Sequence, residues 1–139
     1  MTQPLKYLQH PKAISLNVVA CEAQTPAFEA SESMPIGLIL HSQTPFSAGD
    51  MVQISHPKLC PETHVEAQVI WCRHQPSSYQ LAIHFRTEED LYRVRLLEQL
   101  CHIKLYQVEK QRSGEPICFD TAAQEWIEQY AAHFPTDGL

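Results

Sequence analysis

Apolar and polar residues alternate with a period of two along much of residues 12–86, and a helical period takes over from residue 88. Ile14, Leu16, Val18 and Ala20 alternate with Ser15, Asn17 and Val19, which predicts a first strand with one buried face. Pro26 marks a turn, and Met34-Pro35-Ile36-Gly37 breaks the chain before a short apolar strand from Leu38 to His41. Gly49-Asp50 signals a turn into a strand from Met51 to Ser55, and Pro57 and Pro61 bracket the next loop. The clearest strand runs from Thr63 to Arg73, with Val65, Ala67, Val69 and Trp71 on one face and Glu66 and Gln68 on the other. Beyond Gln75-Pro76-Ser77-Ser78, a second alternation places Tyr79, Leu81, Ile83 and Phe85 together, so the two runs form a hairpin. Val69, Trp71, Ile83 and Phe85 are expected to meet in one core. Five or more short strands of this kind predict an all-β barrel or sandwich.

After the hairpin, Thr87 is placed to cap a helix whose first turn carries Glu88, Glu89 and Asp90, where the helix dipole favours anions. Leu97, Cys101, Leu105 and Val108 recur at helical spacing, and Gly114 is the expected stop. A helix from Glu88 to about Arg112 is roughly 36 Å long, more than a small barrel can cover. Leu96, Leu97, Leu100, Ile103, Leu105 and Val108 also spread around its circumference, so part of it is expected to meet another surface, either a partner or second copy or, in the alternative, a second helix that folds back through Trp126, Ile127 and Tyr130. Thr121 and Gln124 form a capping box for a second helix carrying Trp126, Ile127, Tyr130 and Ala131 on one side and ending before Pro135. The expected organisation is a tail over 1–11, a barrel over 12–86, a helical extension over 87–134 and a tail over 135–139.

Charge narrows the functional classes. The 139-residue chain has a net charge of −6, which disfavours a nucleic-acid polymer as partner. Residues 1–72 contain Lys6, Lys12 and Lys58 and no arginine. No apolar run approaches the roughly 20 residues of a membrane span, and the N-terminus has no secretory pattern; the expectation is a cytoplasmic protein with no membrane insertion. Five cysteines, none in a CxxC pair, argue against a disulfide framework.

The strand half carries an ordered series: Gly37-Leu38-Ile39-Leu40, then Gly49-Asp50-Met51-Val52-Gln53-Ile54, then Ala67-Gln68-Val69-Ile70-Trp71 and Tyr79-Gln80-Leu81-Ala82-Ile83-His84-Phe85. In this order the chain resembles the PilZ domain family, bacterial β-barrels that act as receptors or adaptors in cyclic di-GMP signalling. Leu91 to Ile103, and Glu125-Trp126-Ile127 to Phe134-Pro135, resemble the helical extension of one proteobacterial subgroup. The resemblance implies a mainly β fold with α, a PilZ-like six-stranded antiparallel β-barrel followed by C-terminal helices. It also implies a ligand chemistry: an upstream RxxxR that clamps phosphates and stacks on guanine, and an Asp/Asn-x-Ser-x-x-Gly turn that holds a base edge. Gly37 matches the glycine of that turn, Glu32 falls at its acidic or amide position and Met34 at its serine position. Gln9, His10 and Lys12 lie where the arginines are expected. Lysine cannot copy the bidentate, stacking guanidinium, and two lost charge-assisted contacts cost about 2–5 kcal/mol each where buried.

Other groupings have plainer readings. Cys60 to His64, Cys72-Arg73-His74 and Cys101-His102 put thiols and imidazoles near one another in sequence, but zinc needs about four convergent ligands, and scattered buried cysteines are usually inert. No local sequence builds a nucleophile elbow or oxyanion hole. Trp71 reads as core, and Glu88-Glu89-Asp90 as helix capping. The expectation is therefore a regulatory adaptor, not an enzyme, with no catalytic residue, metal or cofactor. It would act on a protein partner or by self-association through Leu96, Leu100, Ile103 and Val108. The alternatives are a cyclic di-GMP receptor using noncanonical residues and, more distantly, a metal-binding or Cys-dependent enzyme.

Overall fold

In the computed structural model, residues 6–21 and 34–130 are described. They form β1 (Lys6–Gln9), β2 (Asn17–Ala20), β3 (Ile36–Ser42), β4 (Met51–Ser55), β5 (Val65–His74), β6 (Tyr79–His84), α1 (Glu88–Arg112) and α2 (Phe119–Tyr130). The strands make one six-stranded sheet in the order β1-β3-β6-β5-β4-β2. Among the described residues neither the predicted all-antiparallel pattern nor the closed barrel is found. β1 pairs parallel with β3, and β1 and β2 are the two edges.

The predicted N-terminal tail is also corrected, because β1 lies inside it and His10 is buried. Only residues 10–16 separate the two edge strands, and they contain a turn in which Ile14 N–H donates to the Pro11 carbonyl at 3.2 Å. A flat sheet of six strands is about 24 Å wide at about 4.8 Å per strand, which such a link crosses only if nearly straight. The sheet is therefore rolled, and the linking segment acts as a plug, its Ile14 and Leu16 buried in the core. The first strand is correspondingly shorter than Ile14–Ala20: its apolar N-terminal half is plug, not ladder.

The β5–β6 hairpin is the spine. Val65, Ala67 and Val69 from β5 and Leu81 and Ile83 from β6, with Phe85 just beyond it, are buried in one core, as their period-2 spacing requires. Trp71 departs from the expectation. The register shifts between Val69 and Trp71: Val69 pairs with Ile83, but Trp71 pairs with Ala82 and Cys72 with Leu81. This bulge inserts one residue and reverses the alternation. Cys72 packs against the core, while Trp71 is half-buried beneath the Arg73 guanidinium, 4.1 Å from its ring centre.

Helix α1 has the predicted bounds. Thr87 Oγ1 accepts from Asp90 N–H at 3.0 Å, and Gly114, at φ 86°, takes the left-handed conformation that ends the helix. Val94, Leu97 and Cys101 seal the rolled sheet. Farther along, Ile103 packs with Ala122 and Trp126 of α2 in a second, smaller cluster. Helix α2 starts two residues before the predicted cap. Cys118 Sγ, not Thr121, accepts from the Thr121 N–H at 3.4 Å, and Thr121 lies within the helix. Among the described residues no helix is long and apolar enough to cross a membrane.

Candidate functional site: a cleft and a buried cluster beside it

The plug segment, the C-terminal end of β3 and the β5–β6 turn enclose a cleft of about 420 Å³. Its polar lining includes Lys12, Asn17, His41, Ser42, Thr44 and Ser78, and among the described residues no carboxylate, guanidinium or thiol lines it. Ser42 Oγ donates to the Thr44 carbonyl at 2.8 Å and accepts from Thr44 N–H at 3.0 Å, which fixes the rim. His41 Nδ1 and Ser78 Oγ are buried without a hydrogen-bond partner among the described residues. Burial lowers the His41 pKa, and the nearby Lys12 and His10 add to the effect. Near neutral pH the cleft therefore offers a neutral imidazole, hydroxyls and one ammonium. That set can hold a small polar or anionic group by hydrogen bonds. Among the described residues the lining supplies neither a carboxylate base nor a thiol nucleophile.

Of the six positions marked by the PilZ resemblance, the five that are described do not converge. His10 and Lys12 line the cleft. Gln9 is exposed on β1, opposite Ile39. Met34 is half-buried against the sheet core, its N–H donating to the Phe85 carbonyl at 2.9 Å. Gly37 sits near the start of β3, five residues before Ser42, about 17 Å away along a strand. Its glycine has a packing reason: a Cβ there would lie 2.6 Å from the Ile83 carbonyl and 2.8 Å from the Tyr7 ring. Glu32 lies outside the described residues.

Behind the cleft wall His10 turns its imidazole into the core. Its Nδ1 lies 2.6 Å from Glu98 Oε2, and its Nε2 bonds the Ile14 carbonyl. Glu98 is 1% exposed and His10 7%. Cys101, one turn after Glu98 on α1, brings its sulfur into the same group; the His10, Glu98 and Cys101 donor atoms lie within 4.8 Å of one another. Burial, with Glu98 and Cys60 adding, pushes the Cys101 thiol up to about 12. The groupings noted in the sequence are thus replaced by another. Cys101 meets His10 and Glu98, Cys60 donates to Thr63 Oγ1 at 2.8 Å, and His74 packs edge-on to Tyr79. The missed residue is Glu98. Its signal was present, because Val94, Leu97, Glu98 and Cys101 share a helical face, and a carboxylate there must be buried with a partner.

The four expected partner residues also divide. Ile103 is buried between the helices, so it is not available to a partner. Leu100 and Val108 are half-buried. Leu96 is 40% exposed and Tyr92, one turn earlier, 60%. No family model matches this chain, and no curated protein or solved structure does either.

Proposed function

We propose that this chain is a small PilZ-like regulatory adaptor within, or derived from, cyclic di-GMP signalling, acting through protein contacts rather than catalysis. The observation that carries the reading is the outer face of α1. Tyr92 and Leu96 are exposed one turn apart on a 25-residue helix whose other sides meet the sheet and α2. A rigid helix presenting an aromatic and an aliphatic side chain at i and i+4 is a common docking element. The family assignment is supported by the ordered strand series and the helices that follow it. The adaptor role is supported over nucleotide binding by a cleft in which Lys12 is the one lining cation outside histidine among the described residues.

Two measurements test this. Calorimetry with cyclic di-GMP is expected to show no binding tighter than roughly 100 μM, because a lone ammonium does not replace a guanidinium clamp. Low-micromolar binding would favour the receptor alternative, with Lys12→Ala then expected to abolish it. Crosslinking in the native cell, comparing wild type with Leu96→Glu, is expected to show adducts that the variant loses. Unchanged adducts would remove α1 as the contact surface.

A further inference from the structure

We propose that His10, Glu98 and Cys101 form a buried divalent-metal site, and that Zn²⁺ is the ion their donor set selects. The argument starts from hydrogens. The Ile14 carbonyl only accepts, so His10 Nε2, bonded to it, carries a hydrogen. In a neutral imidazole that leaves Nδ1 as a lone pair facing Glu98 Oε2 at 2.6 Å. Two lone pairs at that distance repel unless something positive lies between them. In the metal-free chain it is a proton, shared by a pair that is almost wholly buried. A metal ion can take its place.

The surroundings suit that exchange. A metal-binding imidazole commonly donates its other N–H to a backbone carbonyl or carboxylate, which fixes the tautomer and aims the free nitrogen; Nε2 and Ile14 are arranged in this way. Glu98 and Cys101 are three residues apart on the same buried face of α1, so the helix holds both donors rigidly. One nitrogen, one oxygen and one sulfur form a mixed, borderline-soft set that suits Zn²⁺ and not Mg²⁺ or Ca²⁺.

The charges also balance. The ion replaces the proton of the His10–Glu98 pair and the thiol proton of Cys101, releasing two protons. Zn²⁺ with one carboxylate and one thiolate is neutral, which a buried site requires. Tetrahedral bonds of about 2.0–2.3 Å put ligand atoms about 3.3–3.8 Å apart, so donors already within 4.8 Å need only small shifts. The fourth position is open to a neutral donor such as water, which leaves the charge balance unchanged. This site is independent of the adaptor reading. It would tie the N-terminal arm to α1.

The test uses Co²⁺ as a spectroscopic probe on the full chain. Because the site is buried, the reduced protein is refolded from denaturant with Co²⁺ present. The expected result is one Co²⁺ per chain, with a thiolate-to-cobalt charge-transfer band and tetrahedral d–d bands that one equivalent of Zn²⁺ removes. Cys101→Ser loses the charge-transfer band, and Glu98→Gln weakens the metal at least tenfold. The triple variant Cys21→Ser/Cys72→Ser/Cys118→Ser, which leaves only Cys60 and Cys101, keeps the wild-type spectrum. That variant decides the matter should Cys101→Ser fail to fold. No charge-transfer band in the wild type, an unchanged band in folded Cys101→Ser, or its loss in the triple variant would each overturn the site and leave a plain ion pair.

Discussion

The two clusters of this molecule are built on one helix by different means. Where α1 crosses the rolled sheet, its Val94, Leu97 and Cys101 complete a core of fifteen buried residues whose other members come from the plug, the strands β3–β6 and the segment after β6. Where the same helix runs past the sheet, three buried residues, Ile103, Ala122 and Trp126, hold α2. Much of the rest of that contact is polar or aromatic. Tyr106 OH donates to Glu125 Oε1 at 2.8 Å, and Gln107 Nε2 donates to the Ile117 carbonyl at 3.0 Å. The Tyr106 and Tyr130 rings meet edge-on. Continuity of α1 does not make the two regions equally stable. Stability follows buried apolar area, so the sheet end should open only with global unfolding and the α2 end by itself.

The largest test of this contrast is Val69→Asp. Val69 is buried among strands from both sides, and an unpaired charge there is expected to cost more than about 4 kcal/mol and unfold the domain. A urea midpoint close to wild type would place Val69 outside the core. Trp126→Ala is expected to cost about 3 kcal/mol or somewhat less, but locally. Hydrogen exchange should accelerate over Phe119–Tyr130 and remain slow in β5 and β6. Equal acceleration in both would show that the two clusters unfold as one. Thr87→Ala removes the cap of the helix that links them and should lower global stability by about 1 kcal/mol, read from the same urea curves.

Acid distinguishes the regions more gently. Burial lowers the pKa of His84 in the sheet and of His102 beside Trp126. As pH falls through the ordinary imidazole range, the unfolded chain takes up protons that the folded chain resists, so this contribution is complete above that range and lost below it. His102→Gln should flatten the acid dependence of α2 exchange while leaving that of the sheet. Smallest of all, Leu96→Glu should change stability by no more than about 0.5 kcal/mol, since Leu96 is exposed. A large loss would mean that this face is covered within the chain.

The strands and helices were legible because period-2 and helical spacing are local properties. Met51–Ser55 and Glu88–Arg112 were read residue for residue. The errors came from what spacing does not encode. The Val69/Trp71 bulge leaves the apolar composition of the strand unchanged while reversing its second half. The parallel pairing of Lys6–Gln9 depends on β3, which follows it by nearly thirty residues. Of the cleft, Lys12 and His10 were singled out in the sequence, whereas His41 comes from the end of β3 and Ser78 from the β5–β6 turn. Glu98 could have been suspected from its helical face, but its partner is 88 residues away.

The bulge has a spectroscopic consequence. The chain has two tryptophans, and the inserted residue turns one of them, Trp71, away from the core beneath a guanidinium. The other, Trp126, is 6% exposed within the helix pair. Their fluorescence is therefore separable: iodide or acrylamide should quench Trp71 first, and the shielded, blue-shifted signal should belong to Trp126. Each cluster thus carries its own optical reporter without a label, and a single emission spectrum taken through a denaturant titration shows which end of the helix lets go first.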